Sequence, residues 1–445
     1  MDRFFSIVSP LDDYARIQPT FWEGRATKYR HGVLGLLSLL MVITYLDRVC
    51  ISVAGPRMQE ALHIGPVAWG WVTGVFTLSY AAFEIPSGAL GDRIGPRRVL
   101  TRIVLWWSAF TSLTGAMTGF YPLLVTRFAF GMGEAGAFPN ATIAVARWFP
   151  THERGRACGI FLMASQLGGA IAPLLVVPIQ AHYGWRASFY VFAILGVFWS
   201  LAWHRWFRDS PAEKLGVSKA ELEETHEPVI KTRHLGLPWG IALRSGNLWA
   251  TMGVAGCYVY TLYFFQSWFH TYLVKARGYS ENDLLLSSLP FLVAAGGNLV
   301  GGIASHGVVR RLGLKWGRRS IGLVGLGSAA LFTVATVLTH QWLLALIFLS
   351  LIYGGVTFQQ PTMFAVCLDI GGAYAGAVTG AMNTASQTAS FVSTLAFGYL
   401  VDRFGNYDVP FAPMGVLLLV GALLWLKVDP TEQLIPELHE EPVAA

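Results

Sequence analysis

Apolar runs of roughly twenty residues recur along this chain, separated by short basic punctuation, and that pattern leaves few ways to fold. Inside a bilayer no water satisfies the backbone, so each run must pair its own N–H and C=O groups as a helix. Twelve spans are predicted, at 33–55, 67–90, 99–119, 121–146, 156–180, 186–207, 247–273, 284–305, 320–339, 341–367, 374–402 and 410–427. A soluble core could use some such runs but not a dozen. Composition agrees: 54% of residues are hydrophobic and 13% charged, where soluble domains carry about 25% charged residues, and mean hydropathy is +0.49. The expected architecture is an all-α membrane protein with two six-helix halves around a central cavity. Its parts are a cytosolic, interfacial N-terminal segment (1–32, with no cleavable signal evident), a first half (33–207), a cytosolic linker (208–246), a second half (247–427) and a cytosolic tail (428–445).

Charge sets the orientation. Of the 32 Lys and Arg residues, 25 fall on the side that would hold both termini, and five (Arg57, Arg186, Lys275, Arg277, Arg403) on the other. The positive-inside rule therefore places both termini in the cytosol; a bacterial inner membrane is the expected location. The net charge of +6 reports topology and does not imply a nucleic-acid partner. Cys50, Cys158, Cys257 and Cys367 each stand alone in an apolar run, so buried small hydrophobes are expected, with no disulfide and no metal centre. The halves also echo each other. "GRACGIFLMASQ" (155–166) aligns without gaps to "GAVTGAMNTASQ" (376–387), which reads as an internal repeat of the transporter kind.

Against this apolar background the charges inside spans stand out, because each costs roughly 2.5–3.5 kcal/mol at a helix centre on insertion scales. Asp47 and Arg48 are neighbours in span one, about 100° apart around the helix and unable to neutralise each other well. At 1.5 Å per residue Asp47 lies roughly 21 Å from the inner end of its span, about 9 Å from the outer edge of a core of about 30 Å. Arg127, in span four running the other way, comes out at a similar depth, so Asp47 and Arg127 are expected partners. Glu134 lies two turns on from Arg127, deeper, in the small-residue setting "GMGEAGAF". Tyr80 falls near the level of Glu134, and Gln166 near the midplane. The competing reading is static: salt bridges between helices, an Arg48 that snorkels to the outer headgroups, tyrosines that merely pack, and amides that join helices.

The motifs point to one family. "GALGDRIGPRR" (88–98) matches the loop between the second and third spans of the major facilitator superfamily, with Gly88, Asp92, Arg93, Gly95, Arg97 and Arg98 as gate and topology elements. "YLDR" in span one, "SYAAFEIPSGALGDRIG" in span two, "TRFAFGMGEAGAFP" in span four and "GAMNTASQ" in span eleven resemble the anion:cation symporter family, which includes galactonate, glucarate and hexuronate transporters, sialin and vesicular glutamate transporters. Glu84 and Phe364 depart from it, standing where many members carry glutamine and tryptophan. Glu84, near the cytosolic end of span two, reads as gating or packing ahead of substrate contact. The resemblance implies an organic anion, a hydroxylated sugar acid, carried with a proton. Arg48 and Arg127 offer planar forks for its carboxylate. Tyr45, Tyr80, Gln166, Tyr263, Asn383 and Gln387 are the remaining expected substrate contacts. Asp47 and Glu134 are the expected proton carriers, since a carboxylate taken out of water resists ionisation. The chain is thus read as a monomeric symporter without cofactor and not as an enzyme: it has no H-E-x-x-H and no G-x-S-x-G. An uncoupled facilitator, an antiporter and a nutrient-sensing transceptor remain open at this point.

Overall fold

Helices begin and end where the sequence punctuates. The computed structural model describes residues 27–225, 238–280 and 283–434; these are almost wholly helical and include no strand. The first half runs α1 (Tyr29–Ala61), α2 (Pro66–Ile94), α3 (Pro96–Ala116), α4 (Phe120–Glu134), α5 (Ala137–Trp148), α6 (Thr151–Tyr183) and α7 (Trp185–Trp206). Pro66 and Pro96 open their helices, where a missing N–H costs nothing. Between α2 and α3 the chain reverses on Gly95 at φ +86, a conformation side chains resist. Here a Cβ would also meet the Asp209 carboxylate, 2.4 Å away. Helices α4 and α5 form one crossing, broken at Ala135–Gly136.

The linker carries α8 (Lys219–Thr225) and α9 (Trp239–Ala242). The second half follows as α10 (Gly246–Ser267), α11 (Phe269–Arg277), α12 (Ser288–Leu338), α13 (Trp342–Gly371), α14 (Ala375–Phe404) and α15 (Phe411–Leu424). Helices α10 and α11 are again one crossing, broken at Trp268. Helix α12 is two crossings joined at Gly313, whose φ of 76 and ψ of 170 are not helical. The described residues make twelve crossings, as the hydropathy pattern predicts. By length and apolarity alone six helices among the described residues qualify as spans; the others are interrupted, as in the fourth crossing, diluted by polar residues, or, like α15, apolar but shorter. Residues 1–26, 226–237 and 435–445, in the expected N-terminal segment, linker and tail, lie outside the described residues.

The linker is tied to the first half. Helix α1 has no cap of its own side chain. Glu221 of α8, fully buried, supplies one from 191 residues away: its carboxylate accepts from the backbone N–H of Arg30 at 2.9 Å and from the Thr27 hydroxyl at 2.5 Å. A carboxylate there also faces the positive end of the helix dipole.

Among the described residues the contacts between the two halves concentrate toward one end. On the face opposite the linker, Gln59 donates to Thr271 at 3.0 Å, Trp69 to the Ser267 carbonyl at 3.4 Å, and Ser52 lies 3.0 Å from His270. A Cβ at Gly70 would sit 2.7 Å from the Thr394 carbonyl, and one at Gly398 2.5 Å from that of Pro66. On the linker face the described ion pairs stay within each half, as in Arg147–Asp209 and Arg318–Asp369. The repeat glycines make the same point. Gly159 and Gly380, equivalent in the two echoing segments, face open space, whereas Gly169, ten residues further along the same helix as Gly159, is packed against Phe291 of the other half. The halves therefore splay into a cleft that opens on the linker face and is sealed on the far face.

Candidate functional site: a charged cluster at the cleft

Four ionisable side chains converge between α1 and α4. Asp47, Arg127 and Glu134 are 2%, 3% and 1% exposed, and the Arg48 side chain 12%. The close approach of α4 to its neighbours is built from glycine: a Cβ at Gly131 would sit 2.2 Å from the Ser79 hydroxyl, and one at Gly136 2.1 Å from that of Ser87. Glu134 is the last residue of α4, at the break before α5.

The expected pairing of Asp47 with Arg127 is not formed. Instead Arg48 donates from Nε to Oε1 of Glu134. No hydrogen-bond donor reaches either carboxylate oxygen of Asp47, and Nε of Arg127 and Oε2 of Glu134 are likewise without hydrogen-bond partners. The reason is the lean of helical side chains toward their own N-terminus. Helix α1 starts on the linker face and α4 on the far face. Two Cα atoms at equal depth therefore send their side chains in opposite directions, and Asp47 and Arg127 diverge. The same lean carries Arg48 toward the linker face, where Glu134 lies. This also corrects the alternative in which Arg48 snorkels to the outer headgroups.

Aromatic rings hold both guanidinium groups. Arg48 Cζ lies 4.9 Å from the ring centre of Tyr80, 5.3 Å from Phe76 and 5.6 Å from Tyr45. Arg127 Cζ lies 4.4 Å from Phe130 and 5.1 Å from the same Phe76. Phe76 thus stands between two cations and is attracted to both through its face. Asp47 remains within electrostatic reach of Glu134 and Arg127.

The other half answers with neutral groups. The Tyr263 hydroxyl is 3.5 Å from Oε1 of Gln387, and the Tyr353 hydroxyl 3.5 Å from Oε1 of Gln166 across the cleft. Both distances are long, so these groups are available to something better placed. Asn383 sits half-buried one turn before Gln387. Tyr353 stacks on Phe265 with ring centres 4.4 Å apart, and Tyr258 is likewise buried in this half. Phe76, Tyr258 and Tyr353 escape the sequence reading because an aromatic in an apolar span reads as packing. Glu84 lies half-buried one turn below Tyr80, within reach of the Arg48 charge.

The 88–98 loop is remote from this cluster. Arg97 donates to the His204 carbonyl through Nε at 2.9 Å and Nη2 at 2.7 Å, and its backbone N–H donates to Asp209 at 2.9 Å, so the loop is docked on the end of α7. Gly88 packs on Pro139, 3.3 Å from where its Cβ would be. Arg93 and Arg98 are exposed, and the Asp92 side chain lies outside the described residues.

A model of the Major Facilitator Superfamily matches residues 37–394. The chain belongs to the major facilitator superfamily. It is therefore a membrane transporter and not an enzyme. It is 37% identical over 408 residues to the "Probable sulfoacetate transporter SauU" of Cupriavidus necator, covering 91% of this chain and 94% of that protein. It is 29% identical to the "Hexuronate transporter" of Bacillus subtilis, covering 89% and 93%, and 27% identical to the "Probable L-galactonate transporter" of Escherichia coli, covering 88% and 87%. Among solved structures, a bacterial homolog of the human lysosomal transporter Spinster, inward-facing and unoccupied, superposes with a TM-score of 0.74 at 19% identity, covering 92% of this chain and 98% of that one. That likeness concerns the fold alone.

Proposed function

We propose that this chain moves a small organic anion across the bacterial cytoplasmic membrane by alternating access, in symport with protons, and that the substrate is a sugar acid. One observation carries the reading: two buried guanidinium groups converge at the cleft, and one already holds a carboxylate, that of Glu134. A substrate carboxylate arriving at Arg48 would compete with Glu134 for the same donor. Once displaced, Glu134 is a buried charge without its partner, and taking a proton relieves the cost. Asp47, without a hydrogen-bond donor, is the second acid in position to take part. Tyr45, Tyr80, Gln166, Tyr263, Asn383 and Gln387 then read the hydroxyls. The relatives named for hexuronate and L-galactonate support a polyhydroxylated carboxylate. On this reading the linker face is cytosolic, with 25 basic residues on that side against five, and the cleft is open to the cytosol.

A second reading follows from the 37% identity to the protein named for sulfoacetate: a short sulfonated carboxylate, held by the same two arginines. A thermal-shift screen of the purified protein against sugar acids, dicarboxylates, sulfonated carboxylates, amino acids and neutral sugars separates the two. Stabilisation by acids alone is the expected result, and uptake into liposomes under an imposed pH gradient then tests coupling. Neutral sugars that bind as tightly as their acids would overturn the anion reading. Uptake indifferent to the gradient would leave an uncoupled facilitator.

A further inference from the structure

On the sealed face, one buried side chain joins both halves. His270, in the first turn of α11, is wholly buried, yet both ring nitrogens are engaged. Nδ1 lies 3.0 Å from the Ser52 hydroxyl on α1, in the first half, and Nε2 lies 2.9 Å from the Ser287 hydroxyl, just before α12 in the second. An imidazole offers a donor at one nitrogen and an acceptor at the other, and a hydroxyl serves either, so the chain Ser52–His270–Ser287 closes without a wasted group. Thr271, the next residue, accepts from Gln59 of α1 at 3.0 Å. Gly55 lies between these two ties, and a Cβ there would be 3.2 Å from the Thr271 hydroxyl and 2.9 Å from Trp69. Ser52, Gly55 and Gln59 recur at three- and four-residue spacing, so they form one stripe of α1 turned to the other half.

This stripe continues the helix that bears the charges. Ser52 is four residues beyond Arg48, about 6 Å along the axis. A shift of α1 that follows exchange of the Arg48 partner therefore reaches Ser52 within one turn of the same helix, with no further element between.

We propose that His270 is the latch of the sealed face: its hydrogen bond to Ser52 holds the halves together there, with Ser287 of its own half fixing the ring, and release of the Ser52 bond opens the pathway on that side. The proposal rests on the alternating-access reading but not on the identity of the substrate or on proton coupling. The Trp69 indole also donates across this face, to the Ser267 carbonyl, but at 3.4 Å that bond is longer than the 3.0 Å contact of His270 with Ser52.

The test is a distance measurement across the sealed face in the full-length protein reconstituted in lipid. Cysteines at Gly65, before α2, and Asp402, near the end of α14, straddle the close approach of Pro66 to Gly398. With the four native cysteines replaced and spin labels attached, double electron–electron resonance reports the populations of closed and open forms. Ser52→Ala removes one hydrogen bond and creates little space. Loss of one such bond should raise the ratio of open to closed forms about two- to tenfold. His270→Phe, which fills the site without either bond, should raise it at least as much, and His270→Asn, which restores a donor and an acceptor, should fall between His270→Phe and the natural protein. An unchanged distance distribution in both Ser52→Ala and His270→Phe overturns the latch. If His270→Phe fails to fold, Ser52→Ala alone decides.

Discussion

Replacing Glu134 by glutamine separates a proton carrier from a structural strut. Breaking a buried ion pair outright costs about 3–5 kcal/mol. This substitution should cost less, because the oxygen that accepts from Arg48 Nε is kept, and the new amide nitrogen takes the place of Oε2, which has no hydrogen-bond partner to offend. What is lost is the ionic part of the bond. Charge-assisted hydrogen bonds are roughly twice as strong as neutral ones, a difference of about 1–1.4 kcal/mol on the usual scale. Glu134→Gln should therefore fold, with a modest loss of thermal stability. Arg48, held less firmly, should take a substrate anion about five- to tenfold more readily. The variant mimics the protonated carrier, so it should bind and exchange substrate across the membrane, since exchange never requires the empty, deprotonated form. Accumulation driven by a pH gradient should fail, because no proton can be released on the inside. The assay is paired: counterflow and pH-driven uptake on the same liposomes. Retained accumulation would exclude Glu134 as the carrier and move the role to Asp47. Equal loss of both modes would make Glu134 structural.

Arg127→Lys keeps the charge but loses the planar fork and the flat contact with Phe76 and Phe130, and should weaken substrate binding about ten- to a hundredfold by calorimetry. Near-normal affinity would reduce Arg127 to a point charge. Gly159→Val and Gly380→Val should leave expression and melting temperature nearly unchanged, because a Cβ at either position meets nothing within 4 Å. Transport by both should nonetheless fall at least tenfold, since these surfaces must meet when the linker face closes. Undiminished turnover would mean that they never meet.

The spans were legible because lipid imposes a rule on backbone groups that every crossing must obey. The reversals at Gly95 and Gly313 were legible only in part. "GPRR" marks the first as a turn, but nothing in "RRLGLKWG" tells that the chain turns on Gly313 with scarcely a break in helix. The charged residues of the cleft were legible as a set and misread as pairs. Depth arithmetic compares Cα positions alone. It omits the lean of the side chains, which separates Asp47 from Arg127 and brings Arg48 to Glu134. His270 left no trace. Its partners stand 218 residues away in one direction and 17 in the other, and a lone histidine in an apolar run carries no periodicity that would single it out. Glu221 is similar: an acidic residue in a polar linker reads as solvated, and only the fold reveals that it caps α1.

Charge balance adds a constraint that no single residue carries. Arg48 and Arg127 face Asp47 and Glu134, so with all four ionised the buried cluster is neutral. An anion entering it brings an excess negative charge into a site whose walls are largely apolar and aromatic, and moving that excess through a sealed intermediate is costly in a low-dielectric interior. The cluster holds two acids that can offset it, one paired with Arg48 and one without a hydrogen-bond donor. A monoanion such as a sugar acid is balanced by one proton, and Glu134, whose partner the substrate takes, is the acid freed to accept it. A dianion such as a sulfonated carboxylate needs two, and then Asp47 must be protonated as well. On the proposed reading the two substrate classes therefore differ in which acids transport requires: Glu134 for both, Asp47 only for the dianion.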